Sequence, residues 1–265
     1  DIVYFESDRS LFYWDNNRLE YIASAGEMYT SAILYNKFYI GAAEGLLIKE
    51  GKLFKLVPGS EVLGRVSSLL PYNGKVLIVT RYNGLFTYDG ETIQKYHCVA
   101  DEFARRNRVF CATLNQSLLA LGSVQGGVCL LDLEKDEMNV ISINSGLQNK
   151  TVLSMAFDAQ KNLWLGLDNG IDCIHLGSPV SSLYGNKPVI GSGYASQIYQ
   201  GKLYLATNQG LYATLSPTEL NKEIPMDFIP GTGGQMWSFL SYDGKLFCAS
   251  DNGIFVIDGN WVKRL

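Results

Sequence analysis

One unit is written again and again along this chain: an apolar run, a tight polar turn ending in glycine, and a second apolar run. It reads NLWLGLDNGIDCI from Asn162, KLYLATNQGLYAT from Lys202 and KLFCASDNGIFVI from Lys245. Self-similarity at a near-constant period constrains a fold more than any single motif, because each copy must be one supersecondary unit. The turn glycine falls at Gly45, Gly84, Gly127, Gly170, Gly210 and Gly253, with spacings of 39, 43, 43, 40 and 43 residues. Ser10, in DRSLFYWD, takes the same place in a seventh, earlier copy.

Each copy spells four short strands, at positions designated A to D. In the third copy, SSLL from Ser67 is A, KVLIVT is B, LFTYD is C and TIQKYH is D, with RYNG as the B–C turn. Asn-Gly turns tolerate the positive φ that a tight hairpin needs, and the flanking β-branched and aromatic residues favour strands. Position B is apolar along nearly its whole length. A half-exposed sheet would alternate, whereas a sheet covered on both faces need not.

Small four-stranded sheets, each covered on both faces, predict an all-β fold: a β-propeller of seven blades of four antiparallel strands, the first incomplete. The expectation is a single propeller domain over 1–265. Blade 1 is partial over 1–22, lacking strand A, and six units follow at about 23–62, 63–98, 106–143, 149–184, 193–228 and 234–265. The missing strand is expected before Asp1 or after Leu265 in a longer chain. Helical signal is confined to a turn or two at Asp101–Arg106.

Composition narrows the function. The formal charge is −4 and no Lys/Arg cluster stands out, which argues against a nucleic-acid binder. No apolar run approaches the roughly 18 residues of a membrane span. No signal peptide is visible, so the chain is expected to be cytoplasmic, already processed or an excised fragment. Four of the five cysteines (Cys98, Cys111, Cys129, Cys173 and Cys248) sit in apolar runs and none forms CxxC. They read as buried small hydrophobes, with no metal or other cofactor expected.

The unit Ser145–Ile174 resembles the two-component regulator propeller repeat. Gly146, Leu147, Asn149, Val152, Asp158, Leu163, Trp164, Gly166 and Gly170 match its pattern, while Asn162 and Leu167 replace its usual Gly and Thr. The phrases SLYGNK, GSGYAS and GTGGQMWS look similar to a Bacteroidetes subgroup of membrane-spanning regulators. The resemblance implies a periplasmic ligand-binding sensor domain of a hybrid two-component system or membrane-spanning transcriptional regulator, in the signal-transduction and transcription-regulation class. It implies an oligosaccharide ligand, a homodimer through the sensor region, and membrane attachment only through a downstream span absent here. It leaves open whether the output is a histidine kinase or a helix-turn-helix.

On a propeller the D–A loops and B–C turns share one face. The long loops Val99–Asn107, Ser142–Lys150, Ser178–Ser192 and Ile229–Gly234 gather there, and variable loops on a rigid scaffold are where function tends to reside. The candidate ligand-binding residues on that rim are Arg65, Arg81, Tyr82, Arg108, Asp168, Tyr194, Gln235, Trp237 and Asp251. Planar cations, amides, carboxylates and aromatics are the groups that grip sugars. Aligning the copies gives one column at the start of strand A (Met28, Arg65, Arg108, Thr151, Gly193, Gln235) and a second within it (Ser31, Ser68, Cys111, Ser154, Ser196, Ser238). The serines have no histidine in register and read as small residues near a crowded axis rather than nucleophiles. His97 and His175 show no partner in the sequence. Trp164 reads as core filler between blades. Axis-proximal carboxylates are almost absent, so no catalytic residue is assigned and a sensor is expected; the alternative is a non-catalytic protein-interaction or dimerisation scaffold.

Overall fold

The structure is a computed structural model that describes residues 2–15, 17–24, 26–178, 191–215, 226–259 and 261–265. It divides into two compact units, Asp1–Ser178 and Pro179–Leu265.

The first unit holds five antiparallel sheets. Sheet 1 has three strands, β1 (Tyr4–Glu6), β2 (Ser10–Asp15) and β3 (Arg18–Ala23). Sheet 2 comprises β4 (Met28–Leu34), β5 (Lys37–Ala42), β6 (Gly45–Glu50) and β7 (Leu53–Leu56). Sheet 3 comprises β8 (Val66–Tyr72), β9 (Lys75–Thr80), β10 (Leu85–Tyr88) and β11 (Ile93–Tyr96). The helix α1 (Asp101–Asn107) leads to sheet 4, which is β12 (Val109–Asn115), β13 (Leu118–Ser123), β14 (Val128–Asp132) and β15 (Glu137–Ile141). Sheet 5 has β16 (Val152–Phe157), β17 (Leu163–Leu167) and β18 (Ile171–Ile174); the end of its unit lies outside the described residues.

The second unit holds sheet 6, with β19 (Gly193–Tyr199), β20 (Lys202–Thr207), β21 (Gly210–Leu215) and β22 (Asp227–Phe228). Sheet 7 follows with β23 (Met236–Tyr242), β24 (Lys245–Ser250), β25 (Gly253–Asp258) and β26 (Trp261–Arg264). Seven sheets, each a meander of neighbouring strands, are the blades of a β-propeller. Sheet 1 carries positions B, C and D, as the missing first strand in the sequence predicts.

Packing accounts for the continuously apolar B strands. In β9, Val76 and Ile78 enter the core shared with sheet 2 (Tyr39, Leu46), while Leu77 and Val79 enter the core shared with sheet 4 (Leu119, Leu121, Leu131). In β13, Leu119 and Leu121 face that same core and Ala120 faces the next, with Val152, Leu163 and Leu165 of sheet 5. Alternate side chains therefore serve alternate interfaces. Each fully buried Leu or Val is worth roughly 1.5–3 kcal/mol, an upper estimate because the unfolded chain already hides some area. In the second unit, Tyr204, Leu211, Met236, Leu246 and Phe255 form the equivalent core.

The turns divide their work differently from the sequence expectation. At the B–C turns only the glycine is left-handed, with φ of +77° at Gly84, +73° at Gly127 and +98° at Gly170. The two-residue hairpins with both central residues left-handed lie at the A–B turns: Tyr35-Asn36, Asn73-Gly74, Gln200-Gly201 and Asp243-Gly244. That geometry matches the twist of the flanking strands.

A hydroxyl closes most of the B–C turns. Thr80 Oγ1 donates to the Gly84 carbonyl at 2.7 Å and accepts from the Asn83 N–H at 2.9 Å. Ser123, Thr207 and Ser250 repeat the pattern against Gly127, Gly210 and Gly253. Leu167, where the regulator repeat has Thr, has no hydroxyl to give and is buried in the core instead.

Trp164 departs from its expected role as core filler. It is 46% exposed, and its indole N–H donates to Asp158 Oδ2 at 2.9 Å. The alternation along β17 buries Leu163, Leu165 and Leu167 and turns Trp164 to the other face.

Candidate functional site: the loop rim

Within each blade from 2 to 7, the first residue of the B–C turn donates its N–H to the carbonyl just ahead of strand A. The pairs are Ala43 to Glu27 (2.8 Å), Arg81 to Arg65 (2.8 Å), Val124 to Arg108 (3.1 Å), Asp168 to Thr151 (3.1 Å), Asn208 to Ser192 (3.0 Å) and Asp251 to Gln235 (3.2 Å). This bond defines the rim column physically and corrects the sequence alignment in two blades, where Glu27 and Ser192 replace Met28 and Gly193. The strand-A column shifts likewise, to Thr30 and Ala195 in place of Ser31 and Ser196.

A β-bulge lies at the start of every A strand. The register skips one residue at Tyr29, Ser67, Phe110, Leu153, Tyr194 and Trp237. A bulge leaves the extra residue unpaired and re-aims its side chain. Four of the six are aromatic, and Phe110, Leu153, Tyr194 and Trp237 are all exposed. Tyr194 and Trp237 were legible as candidates. Phe110 and Leu153 were not, although their place one residue before Cys111 and Ser154 was a signal.

In the first unit, the Arg65 guanidinium lies 4.4 Å from the centroid of the Tyr29 ring. Arg81 lies 5.5 Å from the centroid of the Phe110 ring and 6.0 Å from that of Tyr82. The Nε of Arg81 is buried without an acceptor among the described residues. Arg108 is exposed and left-handed, with φ of +57°. Arg65, Tyr29 and Thr30 line a cavity of about 610 Å³ together with Glu6, Asp8 and Glu27. Asp168 sits exposed at the sheet 5 turn, tied to Thr151 only through its backbone.

In the second unit, Gln235, Trp237 and Asp251 come together. The indole N–H of Trp237 donates to Gln235 Oε1 at 3.3 Å, and the Asp251 N–H to the Gln235 carbonyl. Tyr194 is exposed at the corresponding bulge of sheet 6.

The strand-A hydroxyls tie neighbouring blades. Ser68 Oγ accepts from the Ala112 N–H at 2.9 Å, and Ser67 Oγ donates to the Val109 carbonyl at 2.6 Å. Cys129 and Cys248 are buried, and all five cysteines are free. Burial pushes the thiols of Cys111 and Cys129 up to about 12 and that of Cys98 up to about 11. Thiols held this far from ionisation are poor nucleophiles.

The opposite rim carries a smaller polar cluster. There His175 Nδ1 lies 3.2 Å from Asn162 Oδ1; on the loop rim His97 Nδ1 lies 3.6 Å from Asp101 Oδ2, so both histidines have partners. Gln160, Asn162 and His175 line a cavity of about 470 Å³. Beside it, the Trp164 indole N–H, aided by Asn162 and Gln160, holds the Asp158 carboxyl below its usual range. Among the described residues no group of three or more His, Cys, Asp and Glu side chains is placed to hold a metal ion, and no helix is long and apolar enough to cross a membrane.

The fold defines a class, the β-propeller domains. Among solved structures, the chain is similar to the extracellular domain of BT3049, assigned as a hybrid two component system of B. thetaiotaomicron, with a TM-score of 0.65 and 19% identity over the whole of this chain and 38% of that one. It is also similar to the extracellular domain of BT4673, assigned as a one component system of the same organism, with a TM-score of 0.54 and 17% identity over the whole of this chain and 40% of that one. The chain thus has the propeller fold of these extracellular domains while spanning about two fifths of their length. No family model matches the chain, and no curated protein matches it.

Proposed function

We propose that this chain, as one domain over 1–265, is the extracytoplasmic signal-input propeller of a two-component system or membrane-spanning transcriptional regulator, and that its loop rim detects a glycan-derived ligand. The observation that carries this reading is the recurring bulge, which turns Tyr29, Phe110, Tyr194 and Trp237 out of the sheet ladder beside polar B–C turns. Sugar rings stack on such faces while guanidinium, amide and carboxylate groups take their hydroxyls. The likeness in fold to two extracellular domains of bacterial signalling systems supports the same reading.

The test is a thermal-shift screen of the purified domain against a glycan panel. A ligand at 100 times its Kd stabilises the folded state by about 2.7 kcal/mol, well within reach of the measurement. A hit that Phe110→Ala or Trp237→Ala abolishes supports the rim. No shift with any sugar overturns the reading.

A second reading, an interaction scaffold that pairs through this domain, is favoured by one surface. Tyr4 and Tyr13 pack inward with Phe38, which turns Phe5, Phe12 and Trp14 to the other face of sheet 1, where Phe12 meets Tyr21. Phe5, Trp14 and Tyr21 are each more than half exposed. Apolar patches of this kind mark association surfaces. Sedimentation that shows concentration-dependent dimers, lost in Trp14→Lys, supports it; a monomer at all concentrations removes it.

A further inference from the structure

Three arginines stand in succession on the rim of the first unit. The Arg81 N–H donates to the Arg65 carbonyl at 2.8 Å, and the Val109 N–H, next to Arg108, donates to the Arg81 carbonyl at 3.2 Å. The Val124 N–H then holds the Arg108 carbonyl at 3.1 Å. The three positions are thereby fixed as a continuous hydrogen-bonded run across sheets 3 and 4.

Two basic side chains close by in sequence have carboxylate partners, and among the described residues these three arginines do not. Acidic residues outnumber basic ones, 26 to 22. Lys95 and Arg106 have found Asp101 and Glu102, at 3.1 and 2.7 Å. None of Arg65, Arg81 and Arg108 has a carboxylate within 4 Å among the described residues. Two of them rest on aromatic rings instead: Arg65 at 4.4 Å from Tyr29, and Arg81 at 5.5 Å from Phe110. A guanidinium held on a ring face keeps its in-plane N–H groups for a planar, bidentate acceptor such as a carboxylate. The buried Arg81 Nε has no acceptor among the described residues, and a desolvated donor left unpaired costs free energy that an incoming oxygen would restore. Glu6, Asp8 and Glu27 line the same cavity as Arg65. They disfavour an anion there, so the Arg81 end beside Phe110 is the favourable one.

We propose that this rim recognises the carboxylate of an acidic saccharide, a uronate. Arg81 is its main anchor, Arg65 and Arg108 flank it, and the exposed Phe110 ring supplies the stacking face. The inference rests on the reading of the rim as a saccharide site and adds the charge of the ligand. It is tested by calorimetry on the intact domain with galacturonate, glucuronate and mannuronate trimers, the methyl-esterified galacturonate trimer, neutral hexose trimers and inorganic phosphate. Expected is binding of at least one uronate trimer that weakens about ten- to a hundred-fold on esterification and in Arg81→Gln, the span of one charged hydrogen bond. Arg81→Lys retains charge but loses the fork and is expected to bind more weakly than the parent. If Arg81→Gln does not fold, the exposed Arg65→Gln and Phe110→Ala carry the test, with melting curves as the check. Neutral trimers that bind as well as uronates overturn the inference and leave the saccharide reading standing. Phosphate that binds as tightly as the uronates, or uronate binding indifferent to all four variants, overturns it too. No binding by any sugar removes both.

Discussion

The indole nitrogen of Trp164 donates to Asp158 Oδ2 at 2.9 Å, and the same carboxylate accepts from the Gln160 and Asn162 backbone N–H groups and from Asn162 Nδ2. One carboxylate thus closes the turn between β16 and β17 and pins the tryptophan to it. Both residues match the regulator repeat, and their roles are linked: the aspartate holds the hairpin and the tryptophan covers it from the exposed face.

Trp164→Ala is therefore expected to cost about 1–2 kcal/mol, against the 3–5 kcal/mol of a fully buried aromatic, because about half of the ring is already in water. Asp158→Asn keeps the shape but weakens four hydrogen bonds, and it should lower the melting temperature further at pH 7 than at pH 3. The sign follows from linkage. The folded carboxyl is held low, so its contribution is present above the unfolded value near 3.9 and is lost as pH falls through the folded one. Thermal melts of both variants at the two pH values decide the matter. A Trp164→Ala loss of 4 kcal/mol would mean that the ring is core after all.

Thr80→Val tests the hydroxyl that closes the third blade's B–C turn. Thr80 is fully buried, and its Oγ1 both donates and accepts. Valine matches its volume but takes the acceptor from the Asn83 N–H and leaves the Gly84 carbonyl only the Thr80 backbone N–H, so a loss of about 1–3 kcal/mol is expected in urea unfolding. Thr207→Val should behave alike. If Thr80→Val is neutral, water replaces the hydroxyl and the lock adds nothing.

The blades themselves were open to reading because their cause is local and periodic. Gly84, Gly127 and Gly170 mark turns that need a positive φ, and the unbroken apolar run of Lys75–Thr80 announces burial on both faces. The rim was less legible. The column is set by a backbone hydrogen bond that leaves no mark on composition, so Met28 and Gly193 took places that belong to Glu27 and Ser192. Trp164 misled for the opposite reason: an aromatic in an apolar strand suggests core, yet only the register of β17 decides which face it takes. Whether Arg81 meets a carboxylate or a phenyl ring depends on which loops converge, and nothing local to RYNG states that.

The buried thiols predict an alkaline limit. Cys111 and Cys129 are held near 12, well above the unfolded value of about 8.5, so the folded state keeps its protons when the unfolded chain has lost them. Stability should be level with respect to these groups at pH 7 and fall above about pH 9. The slope approaches 1.4 kcal/mol per pH unit for each thiol ionised only in the unfolded chain. Melts from pH 7 to 10.5 of the parent and of Cys111→Ala/Cys129→Ala check this: the variant should show a shallower decline. At pH 8, a thiol-disulfide reagent should label both cysteines slowly until denaturant is added.

The bulge separates stability from recognition at Trp237. The residue makes no ladder pair, since the register passes from Met236–Ser250 to Ser238–Ala249, and half of its surface is exposed. Its one polar contact, to Gln235 at 3.3 Å, is long. Trp237→Ala should therefore shift the unfolding midpoint by less than about 1 kcal/mol, as exposed substitutions generally do. Acrylamide should quench the Trp237 contribution to the native fluorescence, measured as the difference between parent and variant. The neighbouring Met236 gives the contrast: it is almost fully buried in the core that sheets 6 and 7 share, and Met236→Ala should cost about 2–5 kcal/mol. Two adjacent residues with opposite costs are what a bulge predicts, because it turns one side chain inward and frees the next. Equal losses at both positions would place Trp237 in the core and remove it from the rim.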